Sequence, residues 1–266
     1  MSMNENGNGH DNNDSEKIVK FPTLAERDRI RKKQAKENEW RKSYKREQAE
    51  KRANNNNEPF FKFGNITPFT KYLVISFIAV QILTGFVLDD AQTLKTVYTF
   101  GFIPGAFTGT YDWHWTALLT PITYNFLHGG WVHLAFNAIM TVALGTFTEK
   151  LLGTRTSIKI FFLCGIAGAL AYFIVNPYSI TPVIGASGSI SGFFAIILIT
   201  LYEQNRFGAL SAKFRGKGPW PIIIIWAAIM TLIGLIGGGI AWEAHLGGFL
   251  AGAALFQGLR YGKIRL

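Results

Sequence analysis

Six runs of apolar residues, at roughly 69–88, 131–148, 158–175, 187–202, 221–237 and 242–259, restrict the fold of this chain more than any other feature. A soluble core has no room for so many long, predominantly apolar stretches. A bilayer does, because its hydrocarbon layer is about 30 Å thick and takes a helix of about 20 residues. Several of the runs fall short of that length, which implies tilt, local thinning of the bilayer or shielding by neighbouring spans. Inside hydrocarbon each backbone polar group must be paired within its own segment, so the runs read as helices. The apolar content is 48%, with 22 Phe and 7 Trp, and it comes in blocks instead of alternating along the chain. The expected fold class is therefore an all-α membrane protein, a bundle of six transmembrane helices.

The charges orient this bundle. The formal net charge is +10. A basic chain of this size could bind nucleic acid, but the basic residues sit in the N-terminal tail and in short connections. Lys150, Arg155 and Lys159 follow the second run, Arg206, Lys213, Arg215 and Lys217 follow the fourth, and Arg260, Lys263 and Arg265 follow the sixth. The other connections carry Asp89, Asp90, Asp112 and Glu243, with one Lys95. Lys and Arg mark the cytoplasmic side, and an even number of spans brings both termini to it. Both termini are thus expected in the cytoplasm, with no nucleic-acid partner. The single cysteine, Cys164, lies within an apolar run, which leaves no disulfide framework and no cysteine metal site. No metal or other cofactor is expected.

Residues 1–66 form a different region. They hold no apolar stretch of the kind a cleaved leader needs. The stretches NENGNGHDNND and NNNN have the composition of disorder. Between them, Leu24 to Arg52 is dense in charge and permissive of helix, which suggests a solvated, partly helical tail. The alternative is a helix lying on anionic lipid, with Trp40 and Tyr44 inserted. The expected organisation is a basic cytoplasmic tail over 1–66, a six-span domain over 67–260 and a short cytoplasmic tail over 261–266.

Polar residues inside spans are costly and face a cavity or one another. The stretch HGGWVHLAFN, with His128, His133 and Asn137, leads into the second run; the fourth begins at Ser187; the sixth contains His245. All three runs travel from outside to inside. His133 lies 16 residues before Glu149, Ser187 16 before Glu203, and His245 15 before Arg260. At about 1.5 Å per residue, each is about 23 Å from the cytoplasmic edge. The three share one depth, and Asn137 lies one turn deeper on the face of His133. Glu243 and the aspartates fall outside this level, so no acidic third member is expected.

Such a set suits acyl transfer. A serine hydroxyl needs a base to take its proton, and histidine is the usual one. The oxyanion then needs fixed donors, which Asn137, His133 and the Ser187 backbone N–H can supply. Taken singly, Ser187 also reads as a helix N-cap, His133 and Asn137 as interhelical hydrogen-bonding groups, and His245 as a satisfied buried histidine. Their common depth favours a Ser–His dyad. Gly188 and Gly192, and Gly248 and Gly252, recur at intervals of four and would let the fourth and sixth spans touch closely.

These motifs resemble the rhomboid family of intramembrane serine proteases, over roughly residues 65–260. GASG, with Gly185 and Gly188 around Ser187, is similar to the family's nucleophile motif. AHLGGFLAG is similar to the pattern around its histidine base, here His245. HGGWVHLAFN is similar to its His-x4-His-x3-Asn pattern, and GTFTEKLLG to its Gly-x3-Glu turn through Gly145 and Glu149. The resemblance implies that Ser187 and His245 are catalytic, that His133 and Asn137 hold the oxyanion, and that His128 is structural. Two positions depart from it. Leu119 and Thr120 stand where many members carry Trp-Arg, and Ser191 stands where many carry an aromatic that stacks on the base.

The implied function is a serine endopeptidase that cuts transmembrane protein substrates near the outer face of the lipid bilayer. A bacterial cytoplasmic membrane is the expected location. Competing readings are a catalytically inactive rhomboid-like binding protein and a transporter using the intramembrane histidines. GLIGGGIAW, from Gly234 to Trp242, is expected to form a mobile cap over the site.

Overall fold

The computed structural model describes residues 65–204, 206, 216–237, 241–264 and 266, together with 24, 28–29, 31–36, 38–39 and 42–43. The chain divides into two units, Met1–Pro59 and Phe60–Leu266. In the first, every described residue is helical and exposed, in keeping with the helix-permissive composition. Trp40 and Tyr44, on which the lipid-bound alternative turns, lie outside the described residues. So do Gly238 and Gly239 of the expected cap.

The second unit is a helical bundle. Its principal helices are α1 (Pro68–Val87), α2 (Asp90–Phe100), α3 (Trp131–Leu152), α4 (Thr154–Val175), α5 (Ser187–Glu203), α6 (Trp220–Gly237) and α7 (Trp242–Arg260). All except α2 coincide with one of the six apolar runs. Among the described residues, α1, α3 and α4 are long and apolar enough to cross a bilayer by themselves. Helix α2 is not among the expected spans. Its residues are too polar for one, and a capping box between Asp89 and Gln92 starts it.

The bundle exposes large apolar side chains and buries several polar ones within an otherwise apolar core. Phe86, Val132 and Ile174 are all more than 70% exposed, while Thr70, Asn125, Ser157 and Ser189 are fully buried. Exposed apolar surface on that scale has no place on a soluble monomer. This is an integral membrane protein.

Helix α5 lies at the centre. Ala195, Ile196, Ile197, Leu198 and Ile199 are buried in succession, so every side of the helix meets protein. Helix α7 packs against α5 and α4, and small residues set the spacing. A Cβ on Gly248 would stand 2.0 Å from the Gly188 carbonyl oxygen, and one on Gly252 would stand 2.4 Å from that of Gly192. A Cβ on Gly247 would meet Ala171 of α4 at 2.4 Å. The expected close approach of the glycine faces is present, with backbone touching backbone. On the other flank, Trp226 of α6 stacks on Phe249 of α7 at 3.8 Å.

One carboxylate ties three helices at the opposite end of α3 from the histidines. Glu149 accepts hydrogen bonds from the Phe69 and Thr70 amides at 3.1 and 3.0 Å, from the Thr70 hydroxyl at 3.1 Å, and from the Thr154 hydroxyl at 2.8 Å. The first helical amides have no carbonyl partner within α1, and a negative charge there also complements the helix dipole. Gly145 allows the approach, since a Cβ would lie 3.0 Å from the Thr70 hydroxyl. At the same end, Arg260 of α7 pairs with Glu203 of α5.

The connection from α2 to α3 is fastened to the one between α4 and α5. Phe102 and Val183 exchange backbone hydrogen bonds at 3.0 and 2.9 Å, the Gly105 amide donates to the Ser179 carbonyl, and the Thr108 hydroxyl donates to the Pro177 carbonyl. Thr120, one of the two positions that depart from the resemblance, is buried, and its hydroxyl donates to the nearby Ala117 carbonyl. The two connections are thus held together largely by main-chain bonds.

Candidate active site

A cavity of about 860 Å³ opens at the end of the bundle where α5 and α7 begin. Ser187, His245, His133, Asn137 and Gly185 all line it. At its base, His245 Nε2 lies 2.6 Å from the Ser187 hydroxyl. The two residues are 58 positions apart in sequence, and the contact of Gly248 with Gly188 one turn below brings them together.

Ser187 is the first residue of α5. Ala186 occupies the cap position, and no side chain caps the helix. The Ser187 hydroxyl is therefore engaged with the imidazole and not with its own backbone, which sets aside the N-cap reading. The first amides of a helix lack intrahelical partners, so the Ser187 N–H is free to donate where the helix dipole favours negative charge. The rotation of α5 is set from behind. The Ser189 hydroxyl, fully buried, donates to Asn125 Oδ1 at 2.7 Å, and the Asn125 amide donates to the Ile122 carbonyl. Two residues turn a helix by about 200°, so holding Ser189 inward keeps Ser187 toward the cavity. Tyr124 adds a second anchor. Its carbonyl accepts from the Gly185 amide at 2.9 Å, and its hydroxyl donates to the Gly165 carbonyl at 2.8 Å.

Gly185 has a φ of +113°, a conformation that side-chain-bearing residues rarely adopt. It also lies against His133, where a Cβ would come within 2.8 Å of the ring at Cε1 and Nε2. His133 Nδ1 accepts from the Gly129 amide at 3.2 Å. An imidazole that accepts at one nitrogen carries its proton on the other when neutral, so Nε2, the atom facing Gly185, is the donor. The Asn137 amide spends one N–H on the His133 carbonyl at 3.0 Å and keeps a second. Two side-chain donors and one backbone donor thus border the serine.

His128 does not line the cavity. It is buried, with ring centroids 5.1 Å from Phe77 and 5.3 Å from His133, which suits a packing role behind His133. Gly248 and Gly252 lie in the interface of α5 and α7, outside the cavity, while Gly188 belongs to both. Ser191 lines the cavity and donates to the Ser187 carbonyl at 2.8 Å. Among the described residues, no aromatic ring stacks on His245.

Glu243 differs from expectation. The depth argument places it outside the level of His245, yet it lines the same cavity and is buried. Two residues along a helix rise only about 3 Å, less than the reach of a glutamate. Its Oε1 accepts from Asn176 Nδ2 at 2.8 Å. Asn125, Ser189, Tyr124 and Asn176 were not among the candidate residues. Each acts through a partner far away in sequence, which no local pattern signals.

Residues 112–261 match the family model described as Rhomboid domain. The chain is 34% identical over 195 residues to rhomboid protease GluP of Bacillus subtilis (strain 168), an alignment covering 71% of this chain and 34% of that protein. It is 27% identical over 198 residues to the putative rhomboid protease YdcA of the same organism, covering 74% and 94%. It is also 32% identical over 133 residues to inactive rhomboid protein 2 of Homo sapiens, covering 49% and 14%. The chain thus spans about a third of the length of GluP and nearly all of YdcA.

Proposed function

Because the chain belongs to the rhomboid family of intramembrane proteases, we propose that it is itself an active serine endopeptidase that cuts transmembrane proteins with a Ser187–His245 dyad. The observation that carries this reading is the 2.6 Å contact between His245 Nε2 and the Ser187 hydroxyl at the base of an open cavity. His245 Nε2 takes the Ser187 proton as the oxygen attacks the scissile carbonyl. The oxyanion is held by the Ser187 N–H, His133 Nε2–H and the second N–H of Asn137. His245 then passes its proton to the leaving amine. Water entering through the cavity, activated by the same histidine, hydrolyses the acyl-enzyme.

The six apolar helices α1 and α3 to α7 cross the bilayer, with both termini in the cytoplasm of a bacterial cell. The order of Lys- and Arg-rich connections supports this orientation. The cavity then opens toward the outer face, and substrates are cut near that face. The tail over 1–66 and residues 261–266 lie on the cytoplasmic side, apart from the chemistry.

The test is labelling by a serine-directed fluorophosphonate together with cleavage of a transmembrane substrate. Parent chain that labels and cleaves, with both reactions lost in Ser187→Ala and His245→Ala, supports the dyad. A folded chain that neither labels nor cleaves would be an inactive binding protein or a transporter. Cleavage surviving in Ser187→Ala would place the nucleophile elsewhere.

A further inference from the structure

The buried carboxylate of Glu243 has no part in the acyl-transfer steps. It is 8% exposed and lines the cavity that holds Ser187 and His245. One oxygen is held by Asn176 Nδ2 at 2.8 Å, which fastens the first turn of α7 to the end of α4. Among the described residues, no lysine or arginine pairs with it. A carboxylate held out of bulk water by one neutral donor is costly, and the cost is relieved by a cation that brings its own hydrogen bonds. Glu243 is no third member of the dyad, because its carboxylate is engaged by Asn176, on the side of α7 facing α4. A polypeptide lying across Ser187 must pass within a few residues of it, since Glu243 precedes His245 by two positions.

We propose that Glu243 is a specificity-determining residue, an anionic subsite that selects substrates carrying a lysine or arginine within about three residues of the cut. The inference rests on the protease reading above. Asn176 positions the carboxylate, leaving Oε2 to receive the substrate cation. Such a cation is available where the cut falls near the membrane surface, because long basic side chains reach from the interface while their stems stay in apolar surroundings.

The experiment uses the full chain in proteoliposomes and a set of transmembrane substrates that differ at one residue. Arg, Met or Glu is placed in turn at each of the nearest positions on either side of the cut. Arg is expected to exceed Met in kcat/KM by about ten-fold at one or two adjacent positions, and Glu to fall below Met. Glu243→Gln keeps an oxygen for Asn176 and removes the charge, so the Arg-to-Met ratio should fall to about one. A flat profile for the parent chain, a ratio that survives in Glu243→Gln, or an equal loss for every substrate would each overturn the proposal. Fluorophosphonate labelling of the same samples separates two failures. A labelled chain with a flat profile loses the subsite alone, whereas an unlabelled chain loses the protease reading and the subsite with it.

Discussion

Replacing Gly248 with alanine should uncouple the dyad without touching either of its members. A Cβ at this position stands 2.0 Å from the Gly188 carbonyl oxygen, about 1.4 Å short of the 3.4 Å at which ordinary contact begins. The obstructing atoms are backbone on both sides, so no side chain can rotate away. Helices α5 and α7 must part at this point, three residues from His245 and one from Ser187. A separation of about 1 Å there lengthens the 2.6 Å contact of His245 with Ser187 to the limit of hydrogen bonding. Misplacement of that size costs about 10²-fold in rate, and the overpacking itself costs about 1–3 kcal/mol of stability. Gly247→Ala is the matched control. Its Cβ meets Ala171 and the Ala167 carbonyl of α4 at 2.4 and 2.6 Å, so it should lower stability by a similar amount with a smaller loss of rate. The assay is kcat/KM on a transmembrane substrate, with thermal unfolding in detergent measured alongside. If Gly248→Ala cleaves at the parent rate while remaining folded, the glycine contact does not set the dyad distance.

Further outcomes are expected elsewhere. His133→Ala and Asn137→Ala should each raise the barrier by up to about 2.7–4 kcal/mol, seen in kcat more than in KM; unchanged turnover in both and in the double variant would remove them from the oxyanion site. Glu149→Ala leaves two amides at the start of α1 without their carboxylate and should cost about 1.5–3 kcal/mol, read from the unfolding midpoint. Ser189→Ala strips the buried Asn125 Oδ1 of its donor and should cost about 1–3 kcal/mol, with slower fluorophosphonate labelling as α5 loses its rotational anchor. A chain beginning near Pro59 should cleave substrate in detergent, and loss of all activity from well-folded truncated protein would assign the tail a part in the chemistry.

The apolar helices could be read from sequence because hydrocarbon imposes one local rule, and runs of Ile, Phe and Leu obey it without reference to the rest of the chain. Their starts at 131, 187 and 242 coincide with those of α3, α5 and α7. The candidate residues Ser187, His133 and His245 were legible for a related reason: a histidine or serine stands out against such a background, and depth can be counted from the nearest charge. Helix α2 escaped because it is amphipathic and sits in a connection, although its Asp89–Gln92 capping pair was visible. Asn125 with Ser189, and Asn176 with Glu243, escaped because their pairing spans 64 and 67 residues and follows from how α4, α5 and α7 meet. Counting residues also misjudged Glu243, since rise along a helix ignores the length of the side chain.

The triple attachment of Glu149 has a consequence in time. The Phe69 amide waits for a partner 80 residues further along the chain. At about 5–20 residues per second, a ribosome needs some 4–16 s to supply it. For that interval the start of α1 has neither its carboxylate nor the Thr154 hydroxyl that steadies it, and its free amides must stay in contact with water. The cap at the start of α1 can be complete only after α3 has been made and α4 has begun. A chain arrested before Glu149 is thus left with the start of α1 uncapped.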